Sequence, residues 1–110
     1  MSRARPLYLV VRADLAPVHQ AIQAAHAVVR FFVREPAAAL DWATTSEVIA
    51  LLSVPDEAAL AALADRAVER GAAHAPFREP DLGDSLTALA LGPGRPARRL
   101  TARLPLAFAA

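Results

Sequence analysis

The chain has 110 residues, enough for one domain but not for two. It contains no cysteine, and all twelve of its basic residues are arginine. Disulfides, thiolate metal sites, cysteine nucleophiles and lysine Schiff bases are therefore excluded. No apolar run reaches the roughly 18 residues that cross a bilayer. The absence of cysteine is compatible with a reducing compartment. We therefore expect a cytoplasmic domain that does not enter membranes.

The net charge of +1 hides an uneven distribution. Residues 1–34 and 85–110 each carry +4, whereas residues 35–84 carry −7. If the two basic ends meet in space, near the start of the first long helix, they form a cationic patch suited to phosphates. Arg98 and Arg99 would belong to this patch. The alternative is that the arginines are scattered over the surface.

The first third of the chain predicts a strand at residues 7–12, a turn at 13–17 and a helix from about Val18 to Val33. Apolar side chains recur in this helix at i, i+4, i+7, i+11 and i+14, which predicts one buried face. The residues of this expected buried face are Val18, Ile22, Ala25, Val29 and Phe32.

A polar row lies beside that face at the same spacing and consists of His19, Gln23, His26 and Arg30. The row begins just after a strand, where α/β folds commonly bind ligands. We therefore interpret it as a candidate site. The alternative is a solvated helix edge, because periodicity alone carries no information about chemistry.

The remaining elements alternate between helical and strand patterns. In chain order we predict a short helix or loop at 36–45 with Trp42, a buried strand at 47–54, a helix from Asp56 to Arg70 that Gly71 ends, a strand at 74–78, an acidic loop at 79–84, a strand at 85–91 and helical turns within 95–103. In the helix after Asp56, the row Leu60, Leu63, Ala64 and Ala67 is expected to pack inward. This order predicts one α/β domain over residues 1–110, with helices on both sides of a single sheet.

Four stretches carry a family resemblance, and together they cover nearly the whole chain. They are Tyr8-Leu-Val-Val-Arg-Ala-Asp14-Leu, Gln23-Ala-Ala-His26-Ala, Val54-Pro55-Asp56-Glu57, and Leu89-Ala-Leu-Gly-Pro93 followed by Leu100-Thr101-Ala-Arg-Leu104. In this order they resemble the type-2 peptidyl-tRNA hydrolases. The resemblance implies a three-layer α/β/α fold with a mixed four-stranded sheet. It also implies hydrolysis of the ester between a peptide and the 3′ ribose of tRNA, no metal or cofactor, and a homodimer.

The chain departs from the family pattern at two places. Family members carry a lysine four residues before the motif glutamine, where this chain has His19. The family loop before the last strand reads Asp-Ala-Gly-Arg-Thr, whereas this chain has Arg78-Glu-Pro-Asp-Leu-Gly-Asp-Ser85. The chain therefore resembles a divergent subgroup of the family.

Ester hydrolysis needs an activated water, a stabilised carbonyl oxygen and a hold on the tRNA phosphates. Imidazole titrates near neutral pH, so His19 is the candidate base, with Asp81 or Asp84 to orient it. Gln23 would hold the ester or the peptide. His26 is interpreted first as a hydrogen-bonded structural residue and second as a substrate contact. Ser85 is a less favoured nucleophile, because no nucleophile elbow surrounds it.

The complete set of candidate site residues follows from these arguments. The candidate catalytic residues are His19, Asp81, Asp84 and Ser85, and the candidate substrate-binding residues are Arg12, Asp14, Gln20, Gln23, His26, Arg30, Arg98 and Arg99. No metal site is predicted, because the two histidines on one helix face are seven residues apart rather than four.

Three functional hypotheses remain open. The first is an active peptidyl-tRNA hydrolase in which His19 replaces the lysine. The second is a catalytically silent relative that binds RNA or a nucleotide through an arginine patch. The third is a small-molecule or regulatory role on the same fold.

Overall fold

The central layer of the molecule is a four-stranded sheet, which a computed structural model describes within residues 5–108. Its strands are β1 (Leu7–Arg12), β2 (Ile49–Val54), β3 (His74–Glu79) and β4 (Ser85–Leu91), in the spatial order β2-β1-β4-β3. β1 pairs with β2 in parallel and with β4 antiparallel, and β4 pairs with β3 antiparallel. The sheet is therefore mixed, as expected.

Helices cover both faces of this sheet. They are α1 (Pro17–Arg34), α2 (Pro36–Thr45), α3 (Glu57–Glu69) and α4 (Arg95–Thr101), and a single 3₁₀ turn spans Pro80–Leu82. α1 and α2 contribute buried residues to one side of the sheet, and α3 and α4 contribute them to the other. This arrangement confirms the three-layer α/β/α fold.

Local chemistry sets the ends of several elements. The carboxylate of Asp56 accepts a 2.9 Å hydrogen bond from the backbone N–H of Ala59 and caps α3. Gly71, with φ of +66°, follows the end of the same helix as predicted. β2 begins two residues later than expected, because the N–H of Glu47 donates to the carbonyl of Trp42 and closes α2.

The core consists of two apolar layers, one on each face of the sheet, because successive residues of a strand point to opposite faces. On one side, Leu9, Val11, Ala88 and Ala90 meet Ala24, Ala27, Phe31 and Trp42. On the other side, Val10, Leu89 and Leu91 meet Leu60, Leu63 and Ala67. The predicted inward row of α3 is therefore confirmed.

The predicted buried face of α1 is wrong. Its members Val18, Ile22 and Val29 are 63%, 45% and 60% exposed, and Phe32 is also exposed. The residues that α1 buries are instead Gln20, Gln23, Ala24, Ala27 and Phe31. Small alanines on this face allow close packing against the sheet, and the two glutamines can be buried there because their amides are hydrogen-bonded. The apolar stripe therefore lies on the outer surface of the helix.

The C-terminal segment covers the outer edge of the sheet. The N–H of Ser53 donates to the carbonyl of Pro105 at 3.0 Å, and the N–H of Ala107 donates to the carbonyl of Leu51 at 2.9 Å. These bonds pair groups that an edge strand otherwise leaves open. None of the helices within residues 5–108 has the length and apolar character needed to cross a bilayer.

Candidate active site

A chain of two hydrogen bonds, one partly and one fully buried, lies at the end of the sheet where β3 ends and β4 begins. The side-chain amide of Gln23, only 2% exposed, donates to Oε1 of Glu79 at 3.0 Å. The hydroxyl of Thr87, which is fully buried, donates to Oε1 of Gln23 at 2.7 Å. One glutamine on α1 therefore connects two strands and positions a carboxylate.

A bulge between β3 and β4 brings Thr87 to this place. Phe77 pairs with Ala88, but the next pair is Arg78 with Leu86, so Thr87 has no partner in the ladder. Ala88 packs on the α1 side of the sheet, and Leu86 packs on the α3 side. The extra residue between them lets Thr87 face α1 as well, where regular alternation would have turned it away.

Glu79 is held as a carboxylate. The hydrogen bond from Gln23 is the largest cause that lowers its pKa below the ordinary value of 4.5. The backbone N–H of Asp81 and the nearby imidazoles of His26 and His19 lower this pKa further, whereas desolvation opposes them. Glu79 therefore presents a negative charge to the two histidines at neutral pH.

A first cleft, called here the His19 cleft, has a volume of about 170 Å³. Its lining residues are Leu15, His19, Gln23, Glu79, Asp81 and Leu82. The structure therefore brings together three of the predicted site residues, namely His19, Gln23 and Asp81. It adds Glu79, which had been assigned only to the acidic loop.

A second cleft, called here the His26 cleft, is larger, at about 550 Å³. Its lining residues are His26, Arg30, Phe77, Arg78, Glu79, Pro80 and Asp81. The rings of His26 and Phe77 stack, with centroids 4.5 Å apart and planes 11° apart. His26 is exposed, and its ring makes no hydrogen bond to the protein within residues 5–108. The first interpretation of His26, as a hydrogen-bonded structural residue, is therefore wrong.

Asp84 and Ser85 contact Glu79 through the backbone but line neither cleft. Asp84 occupies a left-handed turn position with φ of 60°, and its N–H donates to the carbonyl of Glu79 at 3.0 Å. Ser85 pairs with Glu79 in the ladder between β3 and β4. Neither residue lines the His19 cleft or the His26 cleft.

Arg12 and Asp14 form an ion pair in the turn between β1 and α1. The guanidinium makes two bonds to the carboxylate, Nε to Oδ1 at 3.0 Å and Nη2 to Oδ2 at 2.9 Å. This pairing lowers the pKa of Asp14 and raises that of Arg12. Nη1 of Arg12 also donates to the carbonyl of Leu86 at 3.2 Å, so the guanidinium ties the turn to β4.

Gln20 stabilises the same turn from the helix side. Its side-chain amide is buried and donates to the carbonyl of Leu15 at 2.6 Å and to that of Ala13 at 3.5 Å. The side-chain amide nitrogen of Gln20 therefore binds backbone carbonyls of the protein itself.

The expectation that Arg98 and Arg99 join a cationic patch near the start of α1 is wrong. Arg98 and Arg99 lie on α4, on the face of the sheet opposite to α1. In addition, α1 follows β1 and α4 follows β4 in the chain. Because β1 and β4 are antiparallel, the two helices begin at opposite ends of the strands. Arg99 lines a separate surface pocket of about 150 Å³ with Arg70 and Arg95. Arg3, a further member of the expected patch, lies outside the described residues.

Sequence reasoning missed Glu79, Thr87 and Phe77 as members of the site. For Thr87 a signal existed, since it is the one hydroxyl within the apolar run from Leu86 to Leu91. Its direction depends on the bulge, which the sequence pattern does not reveal. As to metals, no group of three or more histidine, aspartate or glutamate side chains suited to an ion occurs within residues 5–108.

The fold and the site define a small three-layer α/β/α domain whose first helix presents histidine and glutamine to carboxylates at a sheet edge. A model of the peptidyl-tRNA hydrolase PTH2 family matches residues 6–106, nearly the full length. The chain therefore belongs to this family, which confirms the resemblance drawn from its motifs. A search of curated proteins found no matching sequence.

Proposed function

We propose that the chain hydrolyses the ester bond of peptidyl-tRNA and releases tRNA and peptide. The observation that carries this proposal is the His19 cleft, in which an imidazole and two carboxylates share one small cavity beside the buried Gln23. Family membership supports the same reaction. The substrate occurs where translation takes place, so the proposal assigns the chain to the cytoplasm.

The proposed reaction uses His19 as a general base. The imidazole takes a proton from water, and the resulting hydroxide attacks the carbonyl carbon of the ester. The tetrahedral intermediate then expels the 3′ oxygen of the ribose, which takes the proton back from the imidazolium. Glu79 stabilises that imidazolium, because its carboxylate lines the same small cleft as His19.

Gln23 has a different role in this proposal from holding the ester. Both ends of its amide are engaged, one with Glu79 and the other with Thr87. We therefore assign it as a positioning residue that fixes the carboxylate. Asp81 lines the same cleft, and we assign it to accept a hydrogen bond from the attacking water.

We also propose that two copies of the chain associate through the outer face of α1. The stripe Val18, Ile22, Ala25, Val29 and Val33 is exposed and contains no charged residue. Contiguous apolar surface of this kind is typical of interfaces, and a two-fold axis lets one stripe face itself.

The hypothesis of a silent RNA-binding relative receives less support. It depends on an arginine patch formed by both ends of the chain, and Arg98 and Arg99 are separated from Arg30 by the sheet. The two hypotheses differ in a single measurable property, which is turnover.

The test is release of tRNA from a defined peptidyl-tRNA by the purified full chain. We expect turnover by the wild type and a loss of about a hundredfold or more in Glu79→Gln, whose side chain cannot stabilise the imidazolium by charge. The matched control is Glu69→Gln, an exposed change on α3 that should leave the rate intact. Absence of turnover in the wild type would overturn the enzymatic proposal.

A further inference from the structure

We propose that His26 and Phe77 form a stacking platform for a nucleobase of the single-stranded 3′ end of tRNA, and that Arg30 and Arg78 bind the phosphate beside it. This inference rests on the proposed function, since it concerns the same substrate. It adds a subsite that the hydrolytic reaction itself does not require.

The platform is preorganised. Phe77 is only 7% exposed and lies beneath His26, with the two planes 11° from parallel. One ring face of His26 is therefore fixed against the protein, while the residue as a whole stays exposed. An imidazole held flat over a buried phenyl ring offers its other face to a planar ligand. Stacking of unpaired bases on histidine or other aromatic rings is a common mode of RNA recognition.

Two guanidiniums stand near the platform. Arg30 follows His26 by one helical turn, and Arg78 follows Phe77 directly on β3. Both line the His26 cleft and both are exposed. Guanidinium groups bind phosphate oxygens with a planar, bidentate geometry. One nucleotide could therefore place its base on the imidazole and its phosphate on the two arginines.

The remaining lining residues determine which way such a nucleotide points. Glu79 and Asp81 line both the His26 cleft and the His19 cleft, so the two clefts share a wall. Their negative charges repel phosphate, which assigns the phosphate to the arginines. The 3′ ribose and its ester then extend along the shared wall toward His19. The platform therefore fits the terminal nucleotide of an RNA strand.

Binding of deacylated tRNA tests the platform without any need for hydrolysis. We expect His26→Ala to weaken binding by about tenfold or more, the usual cost of removing one base-stacking ring. His26→Phe should bind nearly as well as the wild type, because it restores the stacked ring. Arg30→Ala should weaken binding and flatten its salt dependence, whereas the control Arg34→Ala, outside the cleft on the same helix, should weaken it less.

A tRNA whose terminal nucleotide lacks its base completes the experiment. If His26 stacks on that base, removing the base should weaken binding to the wild type but have little effect on His26→Ala. Equal effects in both proteins, or equal affinities of wild type and His26→Ala, would overturn the platform. These results are independent of turnover: the platform is supported even if no ester is cleaved, and it fails if turnover occurs but the stacking pattern is absent.

Discussion

The hydroxyl of Thr87 donates a 2.7 Å hydrogen bond to the side-chain oxygen of Gln23, across 64 positions of sequence. Both side chains are buried, and the nitrogen of the same amide holds Glu79. An irregularity in the pairing of two strands therefore sets the position of a carboxylate that lines two clefts.

Replacing Thr87 by valine should destabilise the fold and misplace the carboxylate. The variant keeps the shape of the side chain but leaves Oε1 of Gln23 buried without its donor, which costs about 1–3 kcal/mol. Denaturant titration measures this loss. Thr87→Ser should retain most of the stability, and Thr44→Val, an exposed change in α2, should alter it by less than about 0.5 kcal/mol. Equal stability of Thr87→Val and wild type would contradict the role of this bond.

Replacing Gln23 by leucine should raise the pKa of Glu79, because the largest cause of its depression is removed. A carboxyl group with a depressed pKa stabilises the fold above its unfolded pKa and loses that contribution as the pH falls through the folded value. The wild type should therefore lose more stability than Gln23→Leu as the pH falls below the ordinary glutamate pKa of 4.5.

NMR titration of the side-chain carboxyl groups measures this shift directly. The pKa of Asp14, which its bond to Arg12 holds low, serves as the internal control and should be the same in both proteins. An unchanged pKa of Glu79 in Gln23→Leu would show that other groups hold the carboxylate.

The sequence predicts the order of the elements well, because strands and helices here carry clear apolar patterns and caps. Asp56 and Gly71, for example, stand at the ends of α3 as their chemistry requires. The wrong prediction concerns which face of α1 is buried. The outer stripe of this helix is more hydrophobic than the inner one, so hydrophobic periodicity identifies the outer stripe as the buried face. Close packing against the sheet favours alanine instead, and an exposed apolar stripe has the same sequence pattern as a core stripe.

The site is predictable only where local spacing determines it. The polar row of α1 is found from sequence, because helical geometry alone puts His19 and Gln23 on one edge. Glu79 and Thr87 depend on the pairing of β3 with β4 and on its bulge, which are long-range features. The sequence analysis places Arg98 and Arg99 wrongly, because the net charge of a segment does not reveal which face of the sheet its side chains occupy.

Replacing Gln20 by methionine should loosen the turn between β1 and α1. The carbonyls of Leu15 and Ala13 lose their side-chain donor, and we expect a loss of about 1–3 kcal/mol. Hydrogen exchange of residues 13–16 should accelerate more than exchange in β4. The control Val68→Ala, at an exposed position of α3, should change neither quantity. Weaker tRNA binding with unchanged stability would instead assign Gln20 to the substrate.

Introducing a charge at Val29 should dissociate the proposed dimer without unfolding the chain. This side chain is 60% exposed, so Val29→Glu leaves the core intact but buries a carboxylate in any contact between two outer stripes. Analytical ultracentrifugation should show a dimer for the wild type and a monomer for the variant. Val68→Glu, at a similarly exposed position on α3, is the control and should remain dimeric. A monomeric wild type would refute the association.

If His19 is the general base, the rate of hydrolysis should depend on pH. A neutral imidazole accepts a proton and an imidazolium does not, so the rate should rise through the range in which imidazole titrates and then level off. His19→Ala should lower the rate by about a hundredfold or more, and Arg34→Ala should leave it unchanged. His19→Lys restores the residue of the family pattern but removes the imidazole, so the rise with pH should disappear. Full activity of His19→Ala would remove His19 from the mechanism. Activity that appears only in His19→Lys would identify the natural chain as a hydrolase relative retained for binding.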